Sequence, residues 1–204
     1  MEIIKDVLKK EILMFKLEGK VSYLIPFDDD HLNNPTYFTW LRNYEVVRTI
    51  NCLNYICPIS FDEVKEYYEN LIKSKNDMFF AIYFRENDKF IGTIRVNRIN
   101  WYTRIANIGI LIGEQDYWGK GVATDSIFVI AEYLFRILGM RKLVGNYMEI
   151  NPGMGKVFNK LGFKVEGKFR KADSFEGEYI DHIYVGCLKE EFNWKYENIS
   201  KNNK

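Results

Sequence analysis

An excess of charge of either sign is the first thing this sequence lacks: 29 basic residues against 28 acidic leave a formal net charge of +1 over 204 residues. No overall field draws in nucleic acid or an anionic membrane, so neither is expected as a partner and any anion must be held by a local seat. Cysteine is scarce as well. Cys52, Cys57 and Cys187 are odd in number and lack paired spacing, and the N-terminus lacks the basic-then-apolar layout of a signal peptide. The expected compartment is therefore the reducing cytoplasm. The two histidines, His31 and His182, have no Cys or His at ligand spacing, which argues against a metal, and no histidine stands near Cys52 or Cys57 to form a nucleophile pair. No apolar run approaches the roughly 20 residues of a membrane-spanning helix. The longest near-candidate, Ile127 to Phe135, is interrupted by Glu132. Repeats and linkers are also missing.

What is present suits one packed domain over 1–204, with a core at about 21–192, an N-terminal arm at 1–19 and a polar, frayed tail at 193–204. Hydrophobic residues make up 47% and charged residues 28%, ordinary globular proportions. The first dozen residues read as a helical extension, and residues 12–17 and 20–26, flanking Glu18-Gly19, as a hairpin or a strand with a leading arm. Asp28-Asp-Asp30 supplies caps for a helical region ending near Trp40-Leu-Arg-Asn43; with no partner ligand at useful spacing, the triple Asp is a capping turn and not a metal site. Residues 45–60 are apolar, aperiodic and end near a proline, as pocket-lining segments often do. Ser60-Phe-Asp-Glu63 has the form of a capping box, and Val64, Tyr67, Tyr68 and Leu71 give the following helix one apolar face. Met78 to Phe84, Phe90 to Ile99 and Arg104 to Ile112 read as three antiparallel strands.

The third of these strands runs into Gly113 and then Tyr117-Trp-Gly-Lys-Gly-Val-Ala-Thr124. A helix starts at once, with Ala123, Ile127, Ile130, Ala131, Leu134 and Leu138 on one stripe and Gly139 as its stop. Glycines at 119 and 121 permit conformations closed to other residues. The first four N–H groups of the helix have no intrahelical acceptor, and its dipole adds positive potential at the same point. Such a turn can seat phosphate, although an isolated Gly-x-Gly also serves simply as a tight strand-to-helix connection. Lys142 to Met148 follows as a strand parallel to the one before the glycines. Asn151-Pro-Gly153 opens a short helix through Val157, Phe158 and Leu161 to Gly162, and residues 163–169 and 179–188 form a closing hairpin around Ser174-Phe-Glu-Gly177.

This order of elements, with Ile110-Leu-Ile-Gly113, Tyr117 to Thr124, Asn151, Lys160-Leu-Gly-Phe-Lys-Val-Glu-Gly167 and Asp181 to Phe192, resembles the GNAT superfamily of N-acetyltransferases. The nearest likeness is to the ribosomal-protein N-terminal and amino-sugar acetyltransferases. The resemblance implies an α+β fold with a mixed, mostly antiparallel central sheet, helices on both faces and a V-shaped splay between the fourth and fifth core strands. It implies acetyl-CoA as co-substrate and no metal. The coenzyme A contacts it implies are Ile110, Leu111 and Ile112 beside the pantetheine arm, Tyr117, Trp118, Gly119, Lys120, Gly121, Val122, Ala123 and Thr124 around the pyrophosphate, and Asn151 and Lys156 by the next helix. The acceptor it implies is a primary amine on a small molecule, such as an amino-sugar nucleotide, or at a protein N-terminus, with a homodimer left open as the assembly.

Direct transfer requires the ammonium to lose a proton, the carbonyl oxygen to be held as it gains charge, and the thiolate to leave. The N–H of Leu111 or a neighbour on the splayed strand is the candidate for the second task. Glu149, at the end of the other lining strand, and Glu114 are candidates for the first, each weighed against a solvated carboxylate at a strand end or turn. Asn146 and Tyr147 are further neighbours of the acceptor. Phe158 stands where many members of the superfamily carry a tyrosine that protonates the thiolate, so another acid or solvent must serve; the rival reading is a non-catalytic acyl-CoA-binding sensor of the same fold. Asp116 stands where the broad pattern has Gln or Arg, and Met154 where close relatives have Ser. Asp181 and His182 point to opposite faces of one strand and cannot orient one another. Arg42, Arg48 and Arg95 could hold an anionic group on the acceptor, with an ordinary ion pair as the default for each. Tyr55, Tyr67, Tyr68, Trp101 and Tyr102 lie close to segments that would wall the acceptor site; most are expected in the core, and any that face the cleft would suit a sugar ring or a peptide terminus.

Overall fold

A computed structural model describes residues 15–50 and 59–196. Alternating apolar residues build one sheet of eight strands: β1 (Leu17–Glu18), β2 (Ser22–Pro26), β3 (Met78–Phe84), β4 (Lys89–Asn100), β5 (Ile105–Ile112), β6 (Lys142–Met148), β7 (Lys164–Phe175) and β8 (Glu178–Leu188). Their spatial order is β1-β2-β3-β4-β5-β6-β8-β7. Every neighbouring pair is antiparallel except β5 and β6, which are joined by a crossover helix and run parallel. That parallel pairing stops early. It links Ile105 to Lys142, Ala106 to Leu143 and Asn107 to Val144 and goes no further, so the rest of β5 parts from β6 in the expected splay.

The helices are α1 (Asp29–Leu32), α2 (Pro35–Leu41), α3 (Tyr44–Val47), α4 (Phe61–Lys73), α5 (Val122–Arg136) and α6 (Pro152–Lys160). Asp28 and Asn34 cap α1 and α2, so the expected helical region after the Asp triplet is two short helices with a third behind Asn43. Ser60 and Glu63 form the capping box of α4. Two apolar layers sandwich the sheet. On one face α5 buries Ile127, Ile130, Leu134 and Phe135 against Ile94, Ile108 and Leu143. On the other, Phe27, Tyr37, Trp40, Val64 and Tyr68 pack over Ala81 and Phe90.

The tail is not frayed at its start: beside the buried Phe192, residues 193–196 pack back on α5, with Tyr196 buried, its ring 5.6 Å from that of Phe128, and Arg136 4.5 Å over Trp194. Tyr67 is 38% exposed and lies off the buried stripe of α4 because its hydroxyl accepts from Arg95. The proposed helical arm, Cys52, Tyr55, Cys57, the middle half of the 45–60 segment (51–58) and the last residues of the tail lie outside the described residues.

Candidate active site

The glycine turn is fixed from three sides. Tyr117 is buried, its ring 4.8 Å from that of Phe84 and its hydroxyl accepting from Asn87 Nδ2 at 2.9 Å. Trp118 is half-exposed and donates Nε1–H to the carbonyl of Ile112 at 2.8 Å. Asp125, in the first turn of α5, faces away from the turn and is fully buried. Its carboxylate accepts from the N–H groups of Lys20, Val21 and Ser22 and from the Ser22 hydroxyl, at 2.8 to 3.1 Å. These four donors satisfy the acidic side chain in the first turn of α5 and tie that helix to β2. A Cβ at Gly19 would lie 2.2 Å from Asp125 Oδ2, so a side chain there would displace the clamp. A lone Asp gives no sign of such partners in the sequence, 105 residues away from the first of them.

Gly119 and Gly121 have φ of +74° and +82°, and Gly121 is the N-cap residue of α5 without any side-chain cap. Among the described residues, the N–H groups of Gly119, Gly121, Val122, Ala123 and Thr124 have no protein acceptor, the first helical bond at this end being Asp125 N–H to Gly121 O. A Cβ at Gly119 would meet nothing within 4 Å, so the turn opens outward. This set of unpaired donors, joined by the exposed amine of Lys120, fits a pyrophosphate group.

The splay carries a correction. Gly113 donates its N–H to Ile91 O on β4, and Leu111 O lies only 2.3 Å from where a Cβ on Gly92 of the same strand would be. Residues alternate along a strand, so Leu111 turns its peptide groups to β4 and its N–H is not free for an oxyanion. Ile110 and Ile112, one residue to either side, turn theirs into the gap. Gly113 itself is packed under Trp40, where a Cβ would meet Cδ2 at 1.9 Å.

Both candidate bases are committed. Glu114 accepts from Trp40 Nε1 at 2.9 Å and is ion-paired to Lys89. Burial works to raise its pKa, but the Lys89 ammonium and the indole N–H outweigh that and hold the carboxyl below its usual range. Glu149 is exposed just past β6; its Oε1 accepts from Asp181 N–H at 2.9 Å and its Oε2 lies 3.4 Å from Lys168 Nζ. Asn151 caps α6, accepting from Met154 N–H, and donates to Thr49 Oγ1 at 3.2 Å; Lys156 is exposed on the same helix. Phe158 is buried, and the phenol beside it is Tyr147, whose ring stacks 6.3 Å away.

On the opposite face, β-alternation aligns Arg95, Asn107, Gly109, Asn146, His182 and Tyr184 away from α5 and α6. The face is roofed by α3 and the β7–β8 turn, where Tyr44 donates to Glu176 at 2.8 Å and Arg48 lies 5.6 Å from the ring of Phe175. Arg95 is paired with Asp77 and Arg48 with Glu45, the default readings for both. His182 is indeed not paired with Asp181. Its partner is Asp173, eight residues further back, a contact made by a register shift in the hairpin between Phe169 and Asp173 that the sequence does not display.

A family model described as an acetyltransferase (GNAT) domain matches residues 23–164. The chain is 31% identical over 113 residues to an uncharacterized N-acetyltransferase, p20, of Bacillus licheniformis, an alignment covering 55% of this chain and 63% of that protein. It is 29% identical over 122 residues to a spermidine N(1)-acetyltransferase of Vibrio cholerae, covering 60% and 69%. Among solved structures, spermidine N-acetyltransferase from Vibrio cholerae in complex with CoA and spermine matches with a TM-score of 0.76 at 23% identity, over 85% of this chain and 98% of that one. RimL, a ribosomal L7/L12 alpha-N-protein acetyltransferase in complex with coenzyme A, matches with a TM-score of 0.74 at 17% identity, over 85% and 98%.

Proposed function

The chain belongs to the GNAT acetyltransferase family, enzymes that use acetyl-CoA, and on that premise we propose that it moves an acetyl group directly to a primary amine bound on the face opposite α5. The observation that carries this reading is the run of unpaired N–H donors at Gly119 and Gly121–Thr124, which open the helix that follows the splayed strand β5. When bound, acetyl-CoA supplies the thioester. The 119–124 donors hold its pyrophosphate, the peptide groups of Ile110 and Ile112 pair with its arm as a missing strand would, and Asn151 fixes the start of α6 beside it.

An N–H facing the gap, from Ile110 or Ile112, donates to the carbonyl oxygen as that oxygen gains charge. With Glu114 and Glu149 held in ion pairs, the ammonium gives its proton to solvent water in the cleft. Tyr147, the phenol packed against Phe158 and α6, returns a proton to the leaving thiolate. The acceptor is a small amine or a protein N-terminus. The test is to mix the protein and acetyl-CoA with amino-sugar nucleotides, polyamines, aminoglycosides and N-terminal peptides and follow free thiol. Turnover on one class is expected. Binding without turnover on any would favour a sensor, and absence of binding would remove the assignment.

A further inference from the structure

Asn146 stands at the mouth of the splay, two residues beyond the last β6 residue paired with β5. Continuing that register, its neighbour across the gap is Gly109, and a Cβ built there meets nothing within 4 Å. There is room for a ligand beside the Asn146 amide, which is itself exposed. Behind Asn146 lies a buried pair. His182, 6% exposed, turns Nδ1 to Asp173 Oδ2 and Nε2 to Asn146 Oδ1 at 2.9 Å, and Asp173 is 5% exposed. An amide oxygen can only accept, so Nε2 is the ring nitrogen that donates to Asn146. The carbonyl end of the Asn146 amide is therefore held inward, and its NH2 group, with no protein acceptor among the described residues, faces the cleft.

We infer that Asn146 selects the acceptor, and that the Asp173–His182 pair is the positioning element that keeps its NH2 group outward. This rests on the acetyltransferase reading and deepens it. An outward NH2 group needs an oxygen acceptor on the ligand, so the favoured substrate is a primary amine with a carbonyl or hydroxyl oxygen close to the nitrogen, as in a peptide N-terminus or an amino sugar. A polyamine offers only more donors to the same spot and is disfavoured, because the Asn146 NH2 group would then be desolvated without a partner.

The experiment compares kcat/KM for an alanine-headed tetrapeptide, glucosamine, putrescine and spermidine, at fixed acetyl-CoA. The wild-type protein should favour one of the oxygen-bearing amines over both polyamines by about tenfold or more, the worth of one satisfied hydrogen bond; which of the two wins separates peptide from sugar. Asn146→Asp, at an exposed position, should reverse the preference toward the polyamines. Gly109→Val should raise KM for every amine while leaving acetyl-CoA affinity unchanged. His182→Gln should erode the preference with the acetyl-CoA KM unchanged, an effect that a purely structural role would not produce. Wild-type preference for a polyamine, or an Asn146→Asp protein with unaltered preference, would overturn the inference while leaving the enzyme assignment standing. No thiol release with any amine in any variant would instead sink the acetyltransferase reading and this inference with it.

Discussion

Glu149 shows how residue-scale chemistry depends on partners that a sequence does not display. Its place at the end of the strand lining the splay is readable from spacing, but the Asp181 N–H and Lys168 ammonium that occupy its oxygens come from β8 and β7. A carboxylate so held is a poor base. Glu149→Gln should therefore keep turnover within about twofold, and the wild-type rate at subsaturating amine should rise with pH until the acceptor's own ammonium is titrated, near pH 8 for an α-amine and near 10.4 for an alkylamine. A pH–rate profile checks both; a large loss in Glu149→Gln confined to pH values below the amine's pKa would restore the carboxylate as the base. Leu111 teaches the same lesson for the backbone. Locating the strand was possible from its apolar run, whereas which of its N–H groups face the gap depends on the register with β4, fixed by Gly113 and Ile91.

Elements with a strong period or a cap were legible, and elements defined by long-range packing were not. The capping box at Ser60, the α5 stripe and the bounds of β3 and β6 follow from local rules. The final segment does not, because its polar spacing hides three aromatic residues that reach back to α5. Phe192 is 3% exposed against Phe128 and Phe135, so Phe192→Ala should cost about 3–5 kcal/mol in denaturant unfolding. A cost under about 0.5 kcal/mol, the usual range of a surface substitution, would show that Phe192 does not anchor the final segment to α5. The β7–β8 hairpin is legible from its turn, but its internal shift is not, so spacing alone does not pair His182 with Asp173.

Over the whole molecule, ion pairs bridge neighbouring elements, and they set a pH window for stability. In the Asp77 carboxyl, burial acts upward, but the Ser74 hydroxyl and Arg95 guanidinium prevail and depress its pKa; Glu114 is depressed as well. Lys89 is raised, chiefly by its hydrogen bond to Glu114. A depressed acid contributes stability that is present above its unfolded pKa, about 3.9 for Asp and 4.3 for Glu, and lost as pH falls through the lower folded value. A raised lysine contributes stability that is present below about pH 10.4 and lost as pH rises through its higher folded value. Thermal melts should thus be level between about pH 5 and 10 and fall on both sides, and Asp77→Asn should flatten the acid limb. An unchanged acid limb would show that the Arg95 pair does not link α4's end to the sheet in solution.

The central claim, that the turn opening α5 seats coenzyme A, is tested most directly by calorimetric titration of the protein with coenzyme A. The wild-type protein should bind, and Gly121→Val should bind at least about tenfold more weakly, since a β-branched residue at φ +82° distorts the turn that aims the free N–H groups. Circular dichroism would check that the variant keeps its fold. Equal affinity in a folded Gly121→Val protein, or no heat of binding from the wild type, would contradict the account.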